Sequence, residues 1–391
     1  MNDDRSPIPF SRPVLGVEEE EAVVAVLRSG WLTTGKVTAA FEAEFAAYCE
    51  VPIALAVNSA TAGLHLALEA LGVGPGDVCA VPNYTFTATA EVVRYLGAEV
   101  ALIDCETDSA NLDMGALERV LAAQKIKVVL PVHLAGEPVD WPQLKALQAM
   151  YGFRIVEDAA HVFPARCDEG YYGALGDIGV YSFYANKNMT TGEGGMIVTR
   201  NPEWAARMRV MRLHGIDRDA FERFTSVKAT GAAASWEYAV VAPGYKYNLT
   251  DIASAIGREQ LKKAAGFWRQ RQELVKAYNS LLAGVPGLDL PRGRDDHAYH
   301  VYSVLLPLGT DRSVVVTKLT EQGIGISVHY IPLHRMPYWK TTYSLQSKDF
   351  PNSEARFSRT LSLPLYPALS LAQVERVCLA LRQALHGSGG V

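Results

Sequence analysis

With 391 residues, 49% of them hydrophobic and 20% charged, the chain is too large for one ordinary core and too apolar to be disordered, which predicts a larger and a smaller domain. A formal net charge of −5 and the lack of long Lys/Arg runs exclude nucleic-acid binding as its main business. The start, MNDDRSPIPFSRP, is acidic where a secretory leader would be basic, and no run is apolar enough to cross a bilayer, so the expected location is the cytoplasm with no membrane partner.

Taken in chain order, EEEEAVVAVLRSG from about residue 17 reads as an amphipathic helix stopped by Gly30, and TAAFEAEFAAYCE as a second helix after the loop Gly30 to Lys36. Short apolar runs then alternate with helical patterns: IALAV, AGLHLALEALG, VCAVP, ATAEVVRYLG, EVALID, MGALERVLAAQ, VVLPVHLAG, PQLKALQAMYG and FRIVED. That rhythm predicts a mostly parallel sheet covered by helices. GVYSFYA and GGMIVT, joined by a polar loop with no helix, are expected to pair with each other. Beyond about residue 255 a long charged helix from Ala253 to about Leu282 is followed by HVYSVLLPL, a helix before Gly323, GISVHY, SLPLYP and a last helix. The expected division is therefore a large domain over 1–255, N-terminal arm included, and a small α+β domain over 256–391.

Cys49, Cys79, Cys105, Cys167 and Cys378 are odd in number, far apart and without CxxC or Cys/His spacing, so they predict reduced structural thiols and no metal site. The cluster GVGPGD reads as a helix stop and turn, and GEGG lacks the Gly-Lys-Ser/Thr ending of a nucleotide-triphosphate loop.

Ligands of such sheets gather beyond the carboxyl ends of the strands, and four of those edges carry chemistry. After IALAV, Asn58-Ser59-Ala60-Thr61-Ala62-Gly63 opens a helix whose free N–H groups suit a phosphate, unless it is an ordinary cap. After FRIV, Glu157-Asp158-Ala159-Ala160-His161 puts acid at the end of a central strand, where a buried carboxylate needs a cation; the alternative is a surface carboxylate capping a turn. Lys187 follows YSFYAN and precedes a glycine-rich turn; it is either a solvated charge or an enclosed amine ready to form a Schiff base. Phe86, in NYTF, is either core or a plate for a flat heterocycle.

Anion cradle, aromatic plate, acid and lysine thus follow one another on a single sheet. With VEDAAH, SFYANKNMTTGEGGMIVT and PGYKYNLTDIASAIG, the chain resembles, over nearly its whole length, the DegT/DnrJ/StrS family of fold-type I, pyridoxal-phosphate-dependent sugar aminotransferases. The resemblance implies a seven-stranded, mostly parallel sheet between helices, with pyridoxal 5'-phosphate as cofactor and pyridoxamine 5'-phosphate as its aminated form. It implies Lys187 as the Schiff-base lysine and proton shuttle and Asp158 on the ring nitrogen. It further implies His161 at the phenolic oxygen, Phe86 on the ring, and Ser59, Ala60, Thr61 and Ser182 at the phosphate.

Lys246 or Asn248 would reach the phosphate of a neighbouring subunit, which implies a homodimer with shared sites. Trp31, Thr33, Thr34, His329 and His334 would face a keto-sugar nucleotide, and L-glutamate is the implied amino donor. PGYKYNLTD and Arg212-Leu213-His214-Gly215 are most similar to enzymes acting at C4 of UDP-linked keto-sugars, including the aminoarabinose type. Two alternatives stand beside this one. A sugar dehydratase of the same fold would have histidine in place of Lys187, and a non-catalytic sugar-nucleotide sensor would have lost the lysine or the acid.

Overall fold

The computed structural model describes residues 6–217 and 238–386, so the acidic residues 1–5 that bear on export lie outside the described part. Helices α1 (Val17–Ser29) and α2 (Lys36–Tyr48) precede the sheet. The α/β segment then runs β1 (Ile53–Val57), α3 (Ala60–Ala70), β2 (Val78–Pro82), α4 (Ala88–Tyr95), β3 (Glu99–Ile103), α5 (Met114–Ala123), β4 (Val128–Val129), α6 (Trp141–Tyr151) and β5 (Arg154–Asp158). A small hairpin, β6 (Arg166–Cys167) and β7 (Gly170–Tyr171), leads to β8 (Ile178–Ser182), β9 (Gly195–Thr199) and α7 (Pro202–Met211).

The sheet has seven strands in the order β1-β9-β8-β5-β4-β2-β3. Strand β9 is antiparallel to both its neighbours and every other pairing in the sheet is parallel. The expected pairing of GVYSFYA with GGMIVT is thus the β8–β9 ladder, Ile178 opposite Thr199 through Ser182 opposite Gly195. Alternate residues of a strand feed opposite layers: Ala54, Ala56, Ala80 and Ile155 pack in one core with Phe41, Phe45 and Phe183. Leu55, Val57, Val81 and Val156 pack in the other with Leu64, Leu66 and Met208. Strands covered on both faces read as continuous apolar runs, which is why these segments were visible in sequence.

The run VVLPVHLAG keeps only two residues in regular pairing. Pro131 has no N–H to continue the ladder, and the chain turns off after a single bridge between Val132 and Asp158.

The C-terminal part comprises α8 (Asp251–Leu282), β10 (Tyr302–Leu305), α9 (Arg312–Glu321), α10 (Pro337–Thr342), α11 (Pro351–Arg359), β11 (Thr360–Leu363) and α12 (Leu371–His386). Strands β10 and β11 pair antiparallel over a third core that holds Val304, Leu361, Val374 and Val377. GISVHY, expected as a further strand, makes a single isolated bridge, Ser327 to Ser362, just after one between Ile324 and Ile8, before it bends toward the main cavity. Leu261 and Ala264 of α8 belong to the first core, whereas Leu274, Val275, Tyr278 and Leu282 belong to the third. The residue 255/256 boundary expected from sequence falls inside this helix. Among the described residues no helix is long and apolar enough to cross a membrane, and no group of His, Cys, Asp and Glu could hold a metal ion.

Candidate active site

The ends of β1, β2, β4, β5 and β8 and one segment from the C-terminal part enclose a cavity of about 330 Å³. Its walls bring together Ser59, Ala60, Thr61, Phe86, Asp158, His161, Ser182, Lys187 and His329, all singled out from sequence.

The floor is the β1–α3 junction. Ser59 is extended (φ −164°) and its side chain accepts a hydrogen bond from the Ala62 N–H at 3.1 Å, so the ordinary-cap reading holds for Ser59 itself. Ala60 and Thr61 open the helix, where main-chain N–H groups have no acceptor within it. Helix start and sheet touch closely here: a Cβ on Gly195 would lie 2.8 Å from the Ala60 nitrogen and 2.9 Å from the Ser59 carbonyl carbon. Only glycine lets β9 approach this turn.

Asp158 ends β5, and its carboxylate accepts from Thr89 Oγ1 at 2.8 Å and from the Ala160 N–H at 3.2 Å. Burial pushes its carboxyl above the ordinary range, against the two hydrogen bonds and the charge of Lys187. The alternation of the strand sends Glu157 the other way. There it accepts from the Gly173, Leu175 and Gly176 N–H groups and from His133 Nε2 at 3.0 Å, a structural carboxylate with no part in the cavity. Lys187 follows β8, where burial brings its amine down from 10.5 to about 8 against the pull of Asp158. An amine so placed is partly unprotonated near neutrality and therefore nucleophilic.

Phe86 is 55% exposed at the cavity mouth and is not core. Its ring lies 5.7 Å from that of Tyr330, which also lines the cavity. His161 is buried; its Nδ1 accepts from the Ala135 N–H at 3.2 Å and its Nε2 lies 3.2 Å from Tyr330 Oη. His329 stacks on Phe10 at 5.3 Å, contacts Ser362 Oγ through Nδ1 at 3.0 Å, and is brought to about 4 by burial and by Lys187.

The remaining predicted residues lie elsewhere. His334 is fully buried, with its ring held between Asn83 and Glu354, and does not line the cavity. Trp31, Thr33, Thr34, Lys246 and Asn248 gather apart from it. Trp31 Nε1 donates to the Thr34 carbonyl, Asn248 Nδ2 donates to Thr34 Oγ1 at 2.7 Å, Lys246 Nζ donates to Asn248 Oδ1 at 2.7 Å, and the Asp251 N–H donates to the Thr33 carbonyl. Asp251 anchors this group: its carboxylate accepts from the Gly35, Val37 and Thr38 N–H groups and from Thr38 Oγ1, capping α2 from a segment more than 200 residues away.

Sequence reasoning missed Thr89, Tyr330 and Asn186, the last with a buried Oδ1 that has no partner in the cavity wall. Thr89 had a signal, the Thr85/Thr89 pair spaced four apart across the start of α4, and the two hydroxyls do meet at 3.2 Å. Tyr330 sat unremarked beside His329.

A buried amine, a buried carboxylate and a set of free N–H groups around one cavity are what a fold-type I enzyme needs for pyridoxal phosphate: a partner each for the aldehyde, the ring nitrogen and the phosphate. Residues 13–382 match the DegT/DnrJ/EryC1/StrS aminotransferase family, and the chain belongs to it. It is a pyridoxal-phosphate-dependent aminotransferase.

The spore coat polysaccharide biosynthesis protein SpsC of Bacillus subtilis is 38% identical over 387 residues, covering 97% of this chain and 98% of SpsC. Among solved structures, the putative sugar aminotransferase Spr1654 from Streptococcus pneumoniae in its PMP form superposes with a TM-score of 0.89 at 31% identity, covering 97% of this chain and all of that one. The same protein in its PLP form superposes at 0.88. Helicobacter pylori PseC, an aminotransferase involved in the biosynthesis of pseudoaminic acid, gives 0.89 at 26% identity over 98% of this chain and 100% of its own.

Proposed function

We propose that the enzyme moves an amino group from L-glutamate to the keto group of a nucleotide-linked sugar, at C4 of a UDP-sugar, in the cytoplasm. The observation that carries the transfer chemistry is the presence of Lys187 and Asp158 in one enclosed cavity floored by the Ala60 and Thr61 N–H groups. The cofactor supplies an electron sink when bound. Lys187 would hold it and would take and return the substrate proton in both halves of the exchange. Asp158 would keep the ring nitrogen protonated, Ser59, Ala60, Thr61 and Ser182 would hold the phosphate, and Phe86 would cover the ring.

The sugar is supported by the relatives, one named for spore coat polysaccharide biosynthesis and another for pseudoaminic acid biosynthesis. UDP and C4 rest on the similarity of PGYKYNLTD and of Arg212 to Gly215 to enzymes acting at C4 of UDP-linked keto-sugars, and glutamate on the family resemblance.

The working unit we propose is a homodimer. Trp31, Thr33, Thr34, Lys246 and Asn248 form one hydrogen-bonded group outside the cavity of their own chain, an arrangement that suits them to complete the cavity of a second copy. His329 lines its own cavity and is assigned to the sugar; His334, enclosed by Asn83 and Glu354, supports that wall from behind.

The test begins with glutamate added to the yellow, cofactor-loaded protein. The band near about 410–430 nm, general for this cofactor bound to lysine, should bleach. A panel of nucleotide keto-sugars is then scored for return of colour. Return with a UDP-4-keto-sugar alone supports the full proposal, and return only with other ketones overturns the substrate assignment. Sedimentation that finds an active monomer removes the dimer.

A further inference from the structure

A second cavity, also of about 330 Å³, lies between the sheet and the C-terminal part, and His329 is a wall common to it and the catalytic cavity. Its volume falls within the range of small-ligand sites. Most of the charge along its walls is already paired. Arg292 meets Asp108, and Arg359 meets Asp289 at 2.8 Å while also donating to the Leu306 and Gly287 carbonyls.

Three groups are left over. Arg356, in α11, makes no side-chain hydrogen bond or ion pair with any described residue, and its Nε is enclosed. Glu137, in the loop after β4, accepts through its side chain only from Ser109 Oγ, at 3.1 Å, so one carboxylate oxygen has no partner. Burial pushes this carboxyl above the ordinary range, opposed by the Ser109 hydroxyl and by the charge of Arg356, yet the two charges do not close into an ion pair. His297 is buried, and its Nδ1 accepts from the Tyr299 N–H at 2.8 Å. Burial brings this imidazole down to about 3, so near neutrality its one proton sits on Nε2, which has no partner among the described residues.

Polar groups left unpaired in an enclosed space are costly, and their signs specify what would satisfy them. A simple anion on Arg356 would lie against Glu137, and a metal ion or amine on Glu137 would lie against Arg356. A molecule that carries a carboxylate and an ammonium side by side meets both charges at once.

We propose that this cavity is a second, noncatalytic binding site for a small α-amino acid, with its carboxylate on Arg356 and His297 Nε2 and its ammonium on Glu137. The site is built from both parts of the molecule, Glu137 from the side of the sheet and Arg356 and His297 from the C-terminal side. It depends on neither the keto-sugar nor the amino donor of the proposed reaction. Of its walls, only His329 also lines the catalytic cavity.

The experiment uses cofactor-loaded protein treated with borohydride, which fixes the cofactor to the chain, keeps the catalytic cavity filled and stops turnover. Calorimetric titration with glycine, L-alanine and L-glutamate then reads binding outside that cavity. At least one of the three should bind, at one molecule per chain. Arg356→Met and Glu137→Gln should each raise its Kd at least about tenfold, as expected for loss of one charged partner, and both should keep the wild-type cofactor absorbance. Propionate, which lacks the ammonium, and ethylamine, which lacks the carboxylate, should bind at least about tenfold more weakly than the amino acid.

No binding by any of the three at millimolar concentrations, a Kd unchanged in the variants, or propionate binding as tightly as the amino acid would each overturn the proposal. If Arg356→Met does not fold, Glu137→Gln decides alone. Failure of the sugar or donor assignment would show in turnover and not in these titrations.

Discussion

Asp158 and Lys187 face one cavity with opposed effects on the same proton: burial draws the Lys187 amine down to about 8, and the Asp158 carboxylate pulls it back up. Their balance decides how much of the lysine is free to attack a carbonyl at neutral pH. The sign follows directly. Cofactor capture by the stripped protein should speed up as pH rises through about 8, not through the 10.5 of an ordinary lysine. Asp158→Asn removes the opposing charge, so the rise should move to lower pH. Stopped-flow absorbance across pH 6–10 measures both curves, and a shift upward in the variant contradicts the coupling.

Lys187→Ala should still bind cofactor through the phosphate and Asp158 contacts but complete no turnover. Equilibrium dialysis and a steady-state assay separate the two, and a preserved rate would remove Lys187 from the chemistry. Asp158→Asn should lose at least about a hundredfold in kcat, since roughly 3 kcal/mol of charge stabilisation goes with the carboxylate.

Thr89→Val removes the 2.8 Å hydrogen bond to Asp158 and leaves a buried carboxylate with less support. Burial then raises its pKa further, and the ring nitrogen is less firmly protonated. The expected loss is about tenfold in kcat with unchanged cofactor binding, a cost of about 1–2 kcal/mol. Thr89→Ser, which keeps the hydroxyl, should recover most of it.

Gly195→Ala should weaken cofactor binding rather than the chemistry. The added methyl would sit 2.8 Å from both the Ala60 nitrogen and the Tyr181 carbonyl oxygen, so the start of α3 or the β8–β9 ladder must move. A cofactor Kd raised at least about tenfold, about 1.4 kcal/mol, is expected from such a displacement of the phosphate donors. An unaltered Kd would show that the cradle tolerates the shift.

Asp251→Ala should act at a distance. It strips three main-chain N–H groups and the Thr38 hydroxyl of their acceptor at the start of α2, for a loss of about 2 kcal/mol or more in stability. If the loop from Trp31 to Thr34 serves a second copy, KM for the keto-sugar should rise more than KM for the amino donor. Thermal melts and the two KM values check both halves.

What was legible in the sequence was short-range. VEDAAH and SFYANKN put acid and lysine directly after apolar runs, and the alternation of a doubly covered strand then sends Asp158 and Glu157 to opposite faces. What was hidden depends on partners far along the chain. The side chain that caps α2 is Asp251, since Gly35 at the N-cap has none to offer. GISVHY has a strand-like composition but no second strand to pair along its length. In the HYIPLH motif the two histidines were assigned to the sugar by family resemblance. The structure turns His334 away into a buried contact with Glu354 and puts Tyr330 on the cavity wall, an outcome set by how that segment folds over β2 and β11 rather than by spacing.

Helix α8 works as a common beam. Its first half is a wall of the nucleus built on the central sheet, and its second half is a wall of the nucleus built on β10 and β11. Severing the chain near residue 255 would leave nearly the whole helix with the C-terminal fragment and take Leu261 and Ala264 from the first core. The C-terminal core would in turn lose Ile8 of the N-terminal arm, and the two halves of the intact molecule should melt together in one transition.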